Sequence, residues 1–416
     1  MSALLRADLW RLIPWLLAAL ALPASAQLSY ERALQLAHEQ SAQLQARRAA
    51  VEGAAALEGA ASQLPDPRLG VGIDNLPINT ADRFSLTRDF MTQRQLGWTQ
   101  DVPNAAKRQA RADTAAARTV QERAKGAAEG VMVEREASKA WLAAFHAVQR
   151  RAAFDALARE NEVLLGTVHA RIASGKALPA EATLVRQEAL ALDDRRDELD
   201  RDVAKARAAL RRWVGAAADE ALQGEPPALP LQLASLRGPL ATHAELAAYA
   251  PMADVARAEA REFEAAKKGD WSWGVTLSKR GPAYSDMVSV QLSFELPLWA
   301  AQRQDPQTTA RRKEAERIEA EAEDLRRRLV LEIETQLAED AELGAKLSRL
   351  KRQMLPLAEE RVTLLLASYQ AGKADLAAVI ASRKDVIETR LRAIELSAQQ
   401  AALRAQLNTH FLKEHP

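Results

Sequence analysis

The chain of 416 residues contains no cysteine. That excludes a disulfide framework, a thiolate metal site and a lipid-bearing cysteine, so stability has to come from packing or assembly. Aromatic residues make up only 5% of the sequence, too few for a thick globular core. Ala, Leu, Arg, Glu and Gln crowd it instead, which favours long helices packed in coiled-coil fashion. An excess of either charge is also missing: 57 Lys and Arg stand against 56 Asp and Glu. A nucleic-acid binder needs a basic excess, so no nucleic-acid partner is expected, and the arginines read as solvated helix faces balanced by acids. Beyond the N-terminus every apolar stretch is broken by Arg, Glu, Asp or Lys within a few turns, which rules out a membrane-spanning helix. The other way across a bilayer is a closed β-barrel, whose strands run about ten residues with apolar side chains outward and small or polar ones inward.

The first residues, "MSALLRADLWRLIPWLLAALALPASAQ", carry Arg6 and Arg11, an apolar run from Leu12 to Leu22, and then Ala24, Ser25 and Ala26. This layout predicts a cleaved secretory signal over 1–26, with the mature chain starting near Gln27.

Strands are written further on. "DWSWGVTLS" places Trp271, Trp273, Val275 and Leu277 on one side and Ser272, Gly274, Thr276 and Ser278 on the other. "MVSVQLSFELPLW" sets Val288, Val290, Leu292, Phe294 and Leu296 against Ser289, Gln291, Ser293 and Glu295. The link "KRGPAYSD" makes the two a hairpin. Earlier, "RLGVGID" alternates Leu69, Val71 and Ile73 with Arg68, Gly70, Gly72 and Asp74, and "FMTQRQLGWTQDVP" brings Leu96, Trp98 and Val102 to one parity. A soluble hairpin packed on helices would not need tryptophans at its start, whereas an aromatic girdle at a membrane interface would use them. Four strands cannot close a barrel alone.

The rest reads as helix. From Pro103 to Pro179 there is no proline, and about seventy residues in one helix reach roughly 100 Å. Leu325, Leu329 and Ile333, then Leu343, Leu347 and Leu350, then Ile387, Leu391 and Ile394 keep the spacing of a coiled-coil seam. Pro356 is expected to kink the helix that contains it. Sliding the sequence so that Gly175-Lys176-Ala177 falls on Gly372-Lys373-Ala374 also places Arg186 on Arg383, Glu198-Leu199 on Glu395-Leu396, and Leu210 on Leu407. An ungapped match containing Gly, Arg and Glu points to internal duplication. The chain divides accordingly into the signal peptide (1–26), a first structural repeat of helix, β-hairpin, long helix, tip turn and helix (27–225), a Pro-rich equatorial linker (226–243) and a second repeat (244–416).

These features resemble the TolC-like outer-membrane efflux proteins, and within them the subgroup serving heavy-metal (Czc-type) pumps of the resistance-nodulation-division class. The resemblance covers the whole mature chain. It is carried by the duplication, by "LPDPRLGVGIDNLP" and "FSLTRDFMTQRQLGWTQDVP", by "MVSVQLSFELPLWAAQRQDP", and by the turns "ARIASGKALPAEATL" and "ASYQAGKADLAAVI". It implies a mainly α fold with a small β part. Duplicated long-helix coiled coils would form a periplasmic α-barrel, and four strands per protomer would complete a trimeric twelve-stranded barrel in the outer membrane. Leu69, Val71, Ile73, Trp271, Trp273, Val275, Leu277, Val288, Val290, Leu292 and Phe294 would then face lipid, with the Ser, Gly and Thr side lining an aqueous lumen. The implied partners are two further copies of the chain, outer-membrane lipid, a periplasmic adaptor (membrane fusion) protein and an inner-membrane pump of the same class.

Glycine between two helices is explained by a left-handed C-terminal cap. The resemblance gives the two turns a second role, as the periplasmic gate and adaptor-docking tip, on Gly175, Lys176, Leu178, Glu181, Tyr369, Gly372, Lys373 and Leu376. The family pattern sets an aromatic three residues before the glycine and an acid six after it. The first turn has Ile172 and Glu181, the second Tyr369 and Ala378, so each keeps one half of the pair.

Nothing points to an enzyme. His38, His146, His169, His243, His410 and His415 make no paired ligand spacing, and there is no phosphate-binding loop or nucleophile elbow. No cofactor is expected. The function read from the sequence is the exit duct of a tripartite proton-driven efflux pump for heavy-metal cations of the cobalt, zinc and cadmium or copper and silver type. A duct for drug efflux or type I protein secretion would use the same fold, and a periplasmic adaptor is the remaining alternative.

Overall fold

The computed structural model describes residues 27–176, 178–227, 240 and 243–409. The expected signal peptide (1–26), most of the linker, Ala177, His410 and His415 lie outside the described residues. The chain forms two compact units, and neither is a sequence repeat: one draws on Ala42–Val131 and Arg237–Glu332, the other on Met132–Leu236 and Ile333–Lys413 with the N-terminal segment to Ser41. Each therefore takes half of either repeat.

The first unit holds the sheet. Helix α2 (Ala42–Ala61) leads to β2 (Arg68–Asp74), a long turn, and β3 (Gln93–Val102). In the second half, α5 (Tyr249–Ala265) leads to β5 (Trp271–Lys279) and β6 (Met287–Phe294). The two hairpins join through β3 and β5, giving one antiparallel sheet in the order β2-β3-β5-β6. The outer sides of β2 and β6 have no strand beside them among the described residues. Beneath the sheet, Ala253 and Ala256 of α5 pack on Ala315 and Ile318 of α6 (Ala300–Arg349).

The second unit is helical. It contains α1 (Tyr30–Gln40), the C-terminal part of the 69-residue α3 (Ala105–Ala173), α4 (Pro179–Val214), the end of α6, α7 (Leu355–Gln370) and α8 (Leu376–Leu407). Its largest cluster is built on Trp141, which stacks on Phe145 at 5.1 Å, meets Tyr30 edge-on at 5.4 Å, and donates its indole N–H to the Leu28 carbonyl at 3.2 Å. Leu28 belongs to β1 (Gln27–Leu28), which pairs in parallel with β4 (Ala221–Leu222). This small pairing has no alternation to announce it. Leu329, Ile333, Leu350 and Leu391 of the predicted seams are buried.

At Pro356 the helix is not broken. A π turn over Leu350–Met354 precedes it, and the Leu355 N–H bonds the Leu350 carbonyl, so the wider turn accommodates the donor that proline lacks.

Candidate functional site

Two places answer to the sequence expectations, one in each unit. In the sheet, the register gathers every predicted outward residue on one face. Leu69, Trp98, Val275 and Val290 form one row across the four strands, and Val71, Leu96, Leu277 and Val288 the next. Nearer the helices lie Gln100, Trp273 and Leu292, then Val102, Trp271 and Phe294, while Ile73 lies at the turn end. The other face carries Gly70, Gly97, Thr276 and Ser289 in one row and Asp101, Ser272 and Ser293 in another. The apolar face is uncovered: Val71 is 82% and Val290 71% exposed. An apolar patch spanning four strands is far larger than a soluble surface tolerates. Among the described residues no helix is long and apolar enough to cross a membrane.

The helical end of the sheet is fastened by a polar clasp between the repeats. Asn104 caps α3 by accepting the Lys107 N–H at 2.9 Å, and its side-chain amide donates to the Ala265 and Lys268 carbonyls and to Asp270. Asp270 Oδ1 also accepts the Asn104 backbone N–H at 2.9 Å, and Oδ2 accepts from Lys107 Nζ at 2.7 Å. Burial alone would raise the Asp270 carboxyl, but Lys107 and Asn104 outweigh it and hold the group below its ordinary value of 3.8. A depressed carboxylate stabilises the fold fully above its ordinary range and loses that contribution as pH falls through the folded value. Asp270→Asn is therefore expected to destabilise the protein by about 1–3 kcal/mol near pH 7. The gap from wild type should close in acid, as pH falls below the ordinary carboxylate range and through the lowered folded value. Unfolding of both proteins at neutral pH and in acid checks this, and an unchanged gap in acid would refute the charge-based clasp.

The second place is the pair of turns. Gly175 has φ 71° and Gly372 φ 72°, both in the left-handed region that a glycine enters without steric cost. In the first turn Lys176 N–H bonds the Arg171 carbonyl at 2.8 Å and Gly175 N–H bonds Ile172 at 3.0 Å. In the second, Lys373 bonds Ser368 at 2.9 Å and Gly372 bonds Tyr369 at 3.0 Å. The same Schellman closure thus occurs at both positions that the duplication aligned.

The half-patterns of the two turns meet. The Tyr369 hydroxyl donates to Glu181 Oε2, and Glu181 Oε1 accepts the Leu178 N–H at 3.2 Å at the start of α4. Burial and the Glu181 carboxylate push the Tyr369 hydroxyl up to about 12, so it stays protonated and donating. Arg171 completes the cluster: its guanidinium lies 4.4 Å from the Tyr369 ring centre and donates to the carbonyls of Gln370 and Lys176, each at 3.3 Å. The sequence reading missed Arg171, whose only signal is a cation in the last turn of a helix. It also missed Asp375, which caps α8 by accepting the Ala377 N–H at 3.3 Å, where the first turn has Leu178.

Gly175, Lys176, Leu178, Gly372 and Lys373 are exposed, Leu178 at 69%. Leu376, one of the expected tip and gate residues, is only 1% exposed and packs with Val168, Val185, Tyr369, Val379 and Ile380. The first position of α8 points into that cluster, so Leu376 packs beneath the turns.

Solved structures with this arrangement of strands and helices include the outer membrane protein VceC from Vibrio cholerae, which is 17% identical, with 93% of this chain and 97% of that one covered at a TM-score of 0.75. The chain shares the fold of that outer membrane protein. CusC, described for its transmembrane channel formation, is 15% identical over 92% of this chain and 91% of its own, with a TM-score of 0.74. The outer membrane channel CmeC of Campylobacter jejuni is 10% identical over 92% and 85%, at 0.72. No family model matches the sequence, and no curated protein matches it. Among the described residues, no group of three or more His, Cys, Asp or Glu side chains is placed to hold a metal ion.

Proposed function

We propose that the chain is one protomer of a trimeric outer-membrane exit duct of the TolC-like kind, serving a tripartite proton-driven efflux pump and exporting heavy-metal cations. The observation that carries the duct is the sheet: one face with an uncovered apolar band, one face of mostly small and polar residues, and, among the described residues, two free edges. In lipid an unpaired edge leaves every main-chain donor and acceptor unsatisfied, so the edges must be closed by other copies. The paired glycine turns would be the gate and adaptor-docking tip, with Tyr369, Glu181 and Arg171 holding the two turns of one protomer together. The metal cargo rests on the hairpin motifs. The polar face adds support, because within the strands it carries Asp74 and Asp101 against Arg68 as its one cation.

Trimerisation is the first thing to test. Because the chain has no cysteine, cysteines introduced along β2 can be scanned against one in β6 of purified protein in detergent. The expected result is a crosslinked ladder that ends at the trimer. Only monomers, or a ladder ending at the dimer, would defeat the closed-barrel reading.

A further inference from the structure

The apolar face ends in cations. Beyond Val71, Leu96, Leu277 and Val288 the next row is Ile73, Arg94 and Lys279, and Arg94 and Lys279 are direct cross-strand partners on that same face. Like charges placed opposite one another are destabilising. The one ion pair made by a strand residue among the described residues is Arg68–Asp101, on the opposite face near the helical end. Asp286, a step beyond β6 in the register of Lys279, forms no ion pair with it. Arg94 is nonetheless held in place: Nη2 donates to the Arg280 carbonyl at 3.2 Å, while Nε is shielded from solvent without an acceptor. Arg280 continues the cluster, with its guanidinium 5.5 Å from the Tyr284 ring centre and Nε donating to the Ser285 carbonyl at 3.1 Å. The β2–β3 turn braces this end, because Gly281 lies so close to the Thr87 carbonyl that any side chain there would strike it.

We propose that Arg94 and Lys279 bind the phosphate of a phosphorylated lipid headgroup, with its acyl chains lying along Leu96, Leu277 and Val288. The inference rests on the barrel reading above. A guanidinium fork matches phosphate oxygens in a bidentate way, and an ammonium beside it adds a point charge, so one phosphate relieves the repulsion between the two. A free anion would make no use of the apolar rows directly below, whereas a lipid uses both. All four helix connections leave from the other end of the sheet, which puts this row in the leaflet away from the helices. That leaflet is the outer one if the helices are periplasmic. The competing account is that both side chains merely extend their charges into water.

The test uses the mature full-length protein in detergent, with bound lipid measured by native mass spectrometry. Probes are diphosphorylated lipid A, the same lipid with its phosphates removed, and inorganic phosphate as competitor. Wild type is expected to prefer the phosphorylated lipid by at least roughly tenfold, as the loss of a charge-assisted contact implies. Arg94→Gln with Lys279→Gln should erase that preference, Lys279→Gln alone should reduce it, and Arg94→Lys should keep part of it. Persistence of the preference in the double variant, or its absence in wild type, would overturn the site. Competition by millimolar phosphate would show a free-anion site and overturn the lipid assignment. Insertion into phospholipid vesicles is scored in parallel: loss of preference with normal insertion condemns the site alone, whereas a wild-type protein that does not insert condemns the barrel reading beneath it.

Discussion

Val275→Arg is expected to stop the protein from reaching its membrane-inserted form, while Thr276→Arg, one residue along, leaves assembly intact and changes conductance. Val275 sits in the row Leu69, Trp98, Val275 and Val290, with two apolar rows toward the helices and one toward the turns. A charge there is in the middle of the apolar band, where an arginine on the lipid face of a barrel costs about 2 to 4 kcal/mol. Leu292→Arg lies closer to the helical end and should cost less, because the penalty falls toward the interface. Thr276 shares its row with Gly70, Gly97 and Ser289. An arginine among such small side chains has room to extend into an aqueous lumen, so the pore changes and the barrel does not. The measurements are the yield of heat-modifiable trimer in the outer-membrane fraction and single-channel conductance in planar bilayers. Equal assembly defects for Val275→Arg and Thr276→Arg would show that the two faces have been assigned to the wrong solvents.

The strands were legible because alternation is a local signal that survives without tertiary context: β5 and β6 lie where Trp271 to Leu277 and Val288 to Phe294 alternate. The first pair was blurred for a physical reason. Phe90 and Met91, which looked like the start of a strand, belong to the turn, and β3 begins only at Gln93. The union of β3 with β5 could not be read, because it pairs strands far apart in sequence, and the contact of Asn104 with Asp270 at its end leaves no local signal. A single asparagine and a single aspartate carry no periodicity. The likeness of the two glycine turns fared better, since the same closure needs the same glycine twice, and the closing main-chain hydrogen bonds of both turns correspond residue for residue.

The turn residues were legible in kind and only partly in role. An aromatic in one turn and an acid in the other looked like two damaged copies of a motif, yet Tyr369 and Glu181 form one hydrogen bond between the turns. Arg171 was silent because a cation near a helix C-terminus is explained by the helix dipole alone. The burial of Leu376 was not legible, because sequence shows proximity to a turn and not the direction of a side chain.

Gly372→Val is expected to abolish export while leaving the trimer and its membrane insertion in place. Gly372 has φ 72°, where a β-branched residue is strained by at least about 1–2 kcal/mol. Nothing lies within 4 Å of the position a Cβ would take, so the strain is in the backbone and falls on the closure made by Lys373 and Gly372 with Ser368 and Tyr369. Relaxing that closure shifts Tyr369, which is the donor to Glu181 and the surface against which Arg171 packs. The change therefore reaches both turns through one side chain, whereas no strand residue takes part in the closure. Tyr369→Phe separates the two contributions, since it deletes the bond to Glu181 and keeps the ring beneath Arg171. If the hydrogen bond fastens the gate, Tyr369→Phe should raise conductance with export retained, and Gly372→Val should lose adaptor capture as well. The measurements are metal sensitivity of cells carrying each variant, trimer yield, and recovery of the adaptor in a pull-down. Normal resistance with normal trimer in Gly372→Val would return both glycines to the role of helix caps, and loss of trimer would show that the turn serves folding and not docking.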